Sequence, residues 1–195
     1  MNTVRIETVS GAAVLPWLND LAALRIGVFR EFPYLYDGSM AYERDYLAEY
    51  AEAGQGLIVL ALDRDQVVGC STGLPLSEAD EAFRRPFIDA GRDVESVYYF
   101  GESVLDADYR GRGIGHQFFD QREGHASGLG YPVTAFCAVV RPQDHPLRPR
   151  EYRPLDAFWH KRGYRKSPEL QARFAWKDID QPDESLKTLL FWLRT

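Results

Sequence analysis

The chain has 195 residues, 45% of them hydrophobic and 27% charged, which is the composition of a globular domain and not of a fibre, a tail or a disordered linker. Lys and Arg number 23 against 29 Asp and Glu, for a net charge of −6. That balance disfavours nucleic acid as the main partner and suits a cationic one. The two cysteines, Cys70 and Cys137, lie far apart in apolar runs with no metal-ligand spacing, so no metal and no disulfide is expected. Uninterrupted apolar runs fall far short of the ~20 residues of a membrane span, and Glu7, Pro16, Asn19 and Asp20 break the pattern of a signal peptide. The expectation is one domain over residues 1–195, cytoplasmic, with no membrane partner.

Val4, Ile6 and Thr8 alternate with polar residues and predict a first strand. Leu15, Leu18, Leu21, Ala22, Leu24, Arg25, Val28 and Phe29 then follow at helical spacing. An aromatic loop, residues 32–38, ends that helix, and Tyr42, Tyr46, Leu47 and Tyr50 predict a second one stopping near Gly54. Two apolar runs, 57–62 and 67–74, flank a polar turn and read as an antiparallel hairpin. Residues 77–96 form an acidic connection in which Ala82, Phe83, Phe87 and Ile88 fit a short helix.

Residues 97–105, rich in Val, Tyr and Phe, read as a central strand. After a glycine-rich loop comes a helix carrying Ile114, Phe118, Phe119, Arg122 and Ala126, stopped by Gly128 and Gly130. Residues 132–140 are another apolar strand, 141–154 a loop with four prolines, and 155–162 a short helix closed by Gly163. At the C-terminus Leu186, Leu189, Leu190 and Leu193 fit a helix by spacing, yet residues 172–177 and 187–193 around a turn-rich segment fit a hairpin.

Strand, glycine loop, helix is an order that binds phosphate. Glycines bring the backbone close to an anion, and the free N–H groups and positive dipole end of a helix start stabilise its charge. In Arg110-Gly111-Arg112-Gly113-Ile114-Gly115 the two arginines could add charge-assisted hydrogen bonds. No Gly-Lys-Ser/Thr follows, which leaves a P-loop NTPase unsupported, and the GxGxG spacing differs from a dinucleotide fingerprint.

This loop resembles the pyrophosphate loop, (Gln/Arg)-x-x-Gly-x-(Gly/Ala), of the GNAT superfamily of acetyl-CoA-dependent N-acetyltransferases, with Arg110, Gly113 and Gly115 at the defining positions. Residues 157–164, Ala-Phe-Trp-His-Lys-Arg-Gly-Tyr, resemble that family's late helix and the strand entry after it. The order of elements from Val4 to Tyr164 is similar as well. The resemblance implies an α/β fold with a mixed, mostly antiparallel central sheet flanked by helices and splayed between its fourth and fifth strands, here 97–105 and 132–140. It also implies acetyl-CoA as cosubstrate, held by Arg110, Gly111, Arg112, Gly113, Ile114 and Gly115, with backbone near Val104 and Leu105 pairing the pantetheine arm and polarising the thioester carbonyl. Family members commonly end in a strand hairpin, which selects strand for residues 187–193, and often form a homodimer.

The family's late-helix Tyr, general acid to the departing thiolate, is Trp159 here, which leaves Tyr152 and His160 as replacements. Direct transfer needs a neutral amine, and Glu102, sharing a strand face with Phe100 and Val104, is the base candidate; the competing reading is a structural carboxylate bonded to backbone or an Arg. Tyr34, Tyr36 and Asp37 lie where the family often shapes its acceptor pocket, and an aromatic loop packed on the core fits them equally. Arg141, Arg148, Arg150 and Arg153 could meet the cofactor's 3′-phosphate or form a solvated surface. The reading is an N-acetyltransferase acting on a primary amine of a small-molecule or peptide acceptor. The alternatives are a non-catalytic acyl-CoA-binding or regulatory module and a nucleotide-binding enzyme.

Overall fold

The computed structural model describes residues 4–195. Its centre is an eight-stranded sheet in the order β1-β2-β3-β4-β6-β8-β7, with β5 also paired to β3. The run 57–62 is apolar at every position because the sheet is covered on both faces. In β2 (Leu57–Asp63), Ile58, Leu60 and Leu62 enter one cluster, and Leu57, Val59 and Ala61 another. β1 (Arg5–Val9) and β3 (Gln66–Pro75) flank β2 in antiparallel register.

Helices α1 (Leu18–Phe29), α2 (Met40–Glu52) and α3 (Glu81–Asp89) supply Leu21, Leu47 and Phe87 to the larger cluster, on one side of the sheet. On the other side, α4 (Ile114–Gly128) and α5 (Asp156–Lys161) set Phe118, Phe119 and Phe158 against the smaller clusters. The helical stretch Gly11–Phe29 is by length and composition apolar enough to cross a membrane. Its inward residues, however, include Arg25 as well as Leu21 and Ala22, and Arg25 is tied by ion pairs to α2 and the sheet.

The predicted strand 97–105 is two strands, β4 (Val97–Tyr99) and β5 (Ser103–Leu105), divided by a break at 100–102. β4 pairs in parallel with β6 (Val133–Val139), and the Phe100 N–H still donates to the Ala135 carbonyl at 2.8 Å. Beyond that point β5 turns wholly to β3, while β6 keeps only β8 as a partner among the described residues. The sheet is therefore splayed between β5 and β6, as the family resemblance implies.

β7 (Arg165–Lys177) and β8 (Glu184–Arg194) form the closing hairpin. The helical spacing of the leucines misleads because the edge of β6 decides the matter: β8 fills it from Thr134↔Arg194 to Val139↔Leu189. Leu189 and Phe191 then face one cluster and Trp192 the other, a period of two. β7 also begins earlier than the sequence suggests, at Arg165.

Candidate active site at the splay

The break at 100–102 is what the site is built on. Thr72 N–H donates to the Glu102 carbonyl (3.1 Å) and Asp106 N–H to the Val68 carbonyl (2.9 Å). Alternation along an antiparallel ladder therefore commits Val104 to Cys70 and turns the backbone groups of Ser103 and Leu105 toward the splay. The peptide groups of Val104, expected near the pantetheine arm, thus belong to β3, while those of Leu105, with Ser103 beside it, face the splay. The Leu105 carbonyl accepts from Arg110 Nε at 3.0 Å, so its N–H is the group left for a ligand.

Arg122 of α4 fixes the break from behind. Its guanidinium is buried, donating to the carbonyls of Thr72 (3.2 Å) and Glu102 (3.0 Å) and to Ser103 Oγ (2.8 Å), and it lies over the rings of Phe100 and Phe119. Burial lowers its pKa to about 10, which still leaves it charged at neutral pH. Gly101 has no room for a side chain, since a Cβ there would collide with the hydroxyls of Tyr50 and Thr72.

The glycine loop runs into α4 as predicted. Gly111 and Gly113 have φ of +76° and +82°, the left-handed region that favours glycine, and no atom stands within 4 Å of a Cβ built on either. Gly113 caps α4 with no side chain on its N-terminus, leaving the first amides, at Ile114 and Gly115, open to an anion. The arginines of the loop are engaged within the protein: Arg110 forms a two-pronged pair with Glu31 (2.7 and 3.0 Å), and Arg112 donates to the Asp108 carbonyl (2.6 Å). Both guanidinium groups thus brace the loop from outside.

Glu102 projects from the break into a buried ionic cluster. Arg25 of α1 pairs with both Glu102 and Glu43, and the second Glu102 oxygen accepts from the Tyr46 hydroxyl at 3.1 Å. The Tyr46 hydroxyl lies 2.9 Å from that of Tyr50, so a line of hydroxyls leads away from the carboxylate. Burial, and then the charge of Glu102, hold the Tyr46 phenol well above its ordinary value, which keeps it a neutral donor. Burial would lower the Arg25 guanidinium, but Glu102, Tyr46 and Glu43 outweigh it and hold Arg25 charged.

The aromatic loop closes over this cluster. The Tyr34 ring packs on Phe29 and Trp176, and burial raises its phenol; Tyr36 is raised by burial and by Glu43. Asp37 points away, to Lys177 (2.7 Å) and Arg30 (3.2 Å), whose hydrogen bonds hold its carboxyl below the usual range. Tyr152 reaches the same region through an edge contact with Phe32 at 4.7 Å. His160 does not: it is exposed, 5.0 Å from the Trp192 ring and 3.4 Å from Arg165, because its position on α5 faces β8. Trp159 packs between Phe136 and Trp192.

Arg141 is not a phosphate ligand in this arrangement. It is buried, bonded to Asp178 (2.7 and 2.8 Å) and to the carbonyls of Pro33 and Tyr34, and so anchors the aromatic loop to the β7–β8 turn. Burial would raise the Asp178 carboxyl, but Arg141 and Lys187 overcome it and lower its pKa. A lowered folded-state pKa contributes stability above the unfolded value of 3.8, lost as pH falls through the folded value. Asp178→Asn is therefore expected to be less stable than wild type at neutral pH, with the difference shrinking in acid denaturation curves below pH 4.

Sequence reasoning missed Arg25, Glu43 and Tyr46 as site residues. Arg25 did carry a signal, a charge at an apolar position of the α1 stripe. Among the described residues no group of His, Cys, Asp and Glu is arranged to hold a metal ion.

A sequence profile of the Acetyltransferase (GNAT) family matches residues 22–149. Among curated proteins no sequence match is found. Among solved structures, a ribosomal-protein-alanine N-acetyltransferase from Brucella melitensis superposes with a TM-score of 0.62 at 13% identity, over 97% of this chain and 98% of that one. An N-acetyltransferase from Staphylococcus aureus Mu50 gives 0.61 at 15%, over 98% and 97%. The structure of yncA from Salmonella typhimurium, with its cofactor acetyl-CoA, gives 0.60 at 10%, over 98% and 92%. At these identities the superpositions speak for the fold, and the profile, matching more than half of the residues, establishes that the chain belongs to the GNAT acetyltransferase family.

Proposed function

We propose that the protein transfers an acetyl group from acetyl-CoA to a primary amine by direct attack. The observation that carries this reading is the splay itself, with open α4 amides at one end and Glu102 at the other. Ile114 and Gly115 would hold the pyrophosphate and the Leu105 N–H the pantetheine arm. The thioester supplies an activated acetyl carbon.

On the protein side, the ammonium form of the acceptor must lose a proton before its nitrogen can attack. Glu102 lies on the side of the break covered by α1 and α2, where a carboxylate stabilises the positive charge that grows on the attacking nitrogen. The proton passes to Glu102 or to water, with the Tyr46–Tyr50 hydroxyls as an exit. The new N–C bond forms as the C–S bond breaks, and the departing thiolate takes a proton. Tyr152 is the phenol proposed to give it, since Trp159 has none to offer.

The test is calorimetric titration with acetyl-CoA, NADH and ATP in parallel, then thiol release against an amine panel. Selective acetyl-CoA binding is expected. Gly113→Val should weaken it by ~10–100-fold, the loss of about 1.5–3 kcal/mol of charge-assisted hydrogen bonding, because a branched residue cannot hold the left-handed backbone. An unchanged affinity would sink the loop assignment. Acetyl-CoA binding without thiol release from any amine would replace the transferase with a binding module.

A further inference from the structure

Two neighbouring residues at the strand break face opposite sides of the sheet. Glu102 reaches Arg25 of α1, and Ser103 reaches Arg122 of α4, whose guanidinium donates to its Oγ at 2.8 Å. Val104 belongs to the larger cluster and Leu105 packs with Ile114 and Phe118 of α4, so the period of two holds Ser103 on the α4 side. That is the side of the helix start whose amides are open to an anion. Ser103 is exposed, because β5 has only β3 as a partner and β6, the strand that would cover its other edge, pairs with β8 alone beyond the break.

Two observations set the direction of this hydroxyl. A serine oxygen that accepts from a cation commits a lone pair on that side, and its own hydrogen turns away from the donor. Ser103 donates to no group among the described residues, so this hydrogen is left for an occupant of the splay. The cation behind it is the second observation. Arg122 is 1% exposed, yet it forms no ion pair among the described residues: its acceptors are the carbonyls of Phe118, Thr72 and Glu102 and the Ser103 hydroxyl, all neutral. Dipoles alone offset the charge at contact, and in a protein interior its field carries through Ser103 to the gap. Negative charge that exists only while the reaction passes its transition state would meet a positive field already in place.

Resting on the transfer reading above, we propose that the Ser103 hydroxyl, held by Arg122, is a catalytic donor to the thioester carbonyl oxygen, where it joins the Ser103 N–H. The amine attacks from the Glu102 side, and the carbonyl oxygen, on the α4 side, gains negative charge as the N–C bond forms and returns it as the C–S bond breaks. The proton stays on Ser103 throughout. Arg122 touches no substrate and is the positioning residue.

The experiment measures kcat with the most active amine of the panel, the affinity for acetyl-CoA, and the infrared stretch of bound acetyl-CoA isotope-labelled at its thioester carbonyl. Ser103→Ala is expected to lower kcat by about 100-fold, the lower end for loss of one oxyanion donor. Acetyl-CoA affinity should stay within about threefold of wild type, and the stretch should rise toward that of free acetyl-CoA. Ser103→Thr keeps the hydroxyl, suits a strand and should restore both kcat and stretch. Should the alanine variant not fold, Ser103→Cys, with a weaker donor, repeats the test. A hydroxyl that only completes the hydrogen bonds of Arg122 would lower Tm, acetyl-CoA affinity and kcat together and leave the stretch where it was. That pattern, or an unchanged kcat in Ser103→Ala, overturns the proposal while leaving acetyl transfer intact. Should acetyl-CoA bind and no amine be acetylated, the transfer reading fails by itself and the stretch decides: a rise in Ser103→Ala supports the donor, and no rise overturns it.

Discussion

Arg25→Met is expected to cost ~3–5 kcal/mol of folding stability, the range for removing one partner of a buried ion pair. Glu43 and Glu102 would then share the interior without their cation, and the side chain's stacking on Tyr46 (4.4 Å) and Phe29 (5.0 Å) would be lost with it. Two carboxylates stranded together in a protein interior repel each other, which adds to the loss of packing. In thermal unfolding this should appear as a fall in Tm on the order of 10 °C for a chain of this length.

Adding Glu43→Gln to Arg25→Met is expected to restore part of the loss, since it removes one of the two stranded charges. Glu43→Gln alone should cost less than Arg25→Met, because Arg25 keeps Glu102. A double variant no more stable than Arg25→Met would mean that the charges are not coupled through Arg25. The cycle thereby measures the pair and not the packing.

The site divides into parts that were legible in the sequence and parts that were not, and distance along the chain explains the division. The glycine loop is local: residues 110–115 carry both the conformational requirement, at Gly111 and Gly113, and the helix start that uses it. The order of strands and helices is local as well, because each element carries its own period. The aromatic loop was located, but which of its side chains turn inward was not, since Tyr34 is aimed by Arg141 and Trp176, more than a hundred residues away.

Arg25 and Arg122 show the same limit. Each stands among apolar residues on its helix, which marks it as buried, yet nothing nearby says what it meets. Arg25 meets Glu43 and Glu102, and Arg122 meets main-chain carbonyls at the strand break. The break itself was hidden inside an unbroken β-forming run, with Gly101 as its single trace. At the C-terminus, the leucine spacing lost to a requirement no periodicity contains, the open edge of β6.

Glu102→Gln is expected to lower kcat/KM by ~10²–10⁴ at neutral pH, the range for loss of a general base. The substitution keeps the shape and an acceptor for the Tyr46 hydroxyl, while it removes the charge that faces Arg25. Because Arg25 retains Glu43, the cluster becomes neutral and not cationic, so the protein should fold, and its thermal unfolding is the control. What separates a base from a structural carboxylate is the pH dependence. As pH rises toward the acceptor's own pKa, near 10.4 for an alkylamine, free amine accumulates in solution and the need for a base falls; the deficit of Glu102→Gln should then narrow. If Glu102 only holds Arg25 and Tyr46 in place, the deficit stays constant across the profile. A constant deficit, or a rate equal to wild type, would remove Glu102 from the proton path and leave water to accept the proton directly.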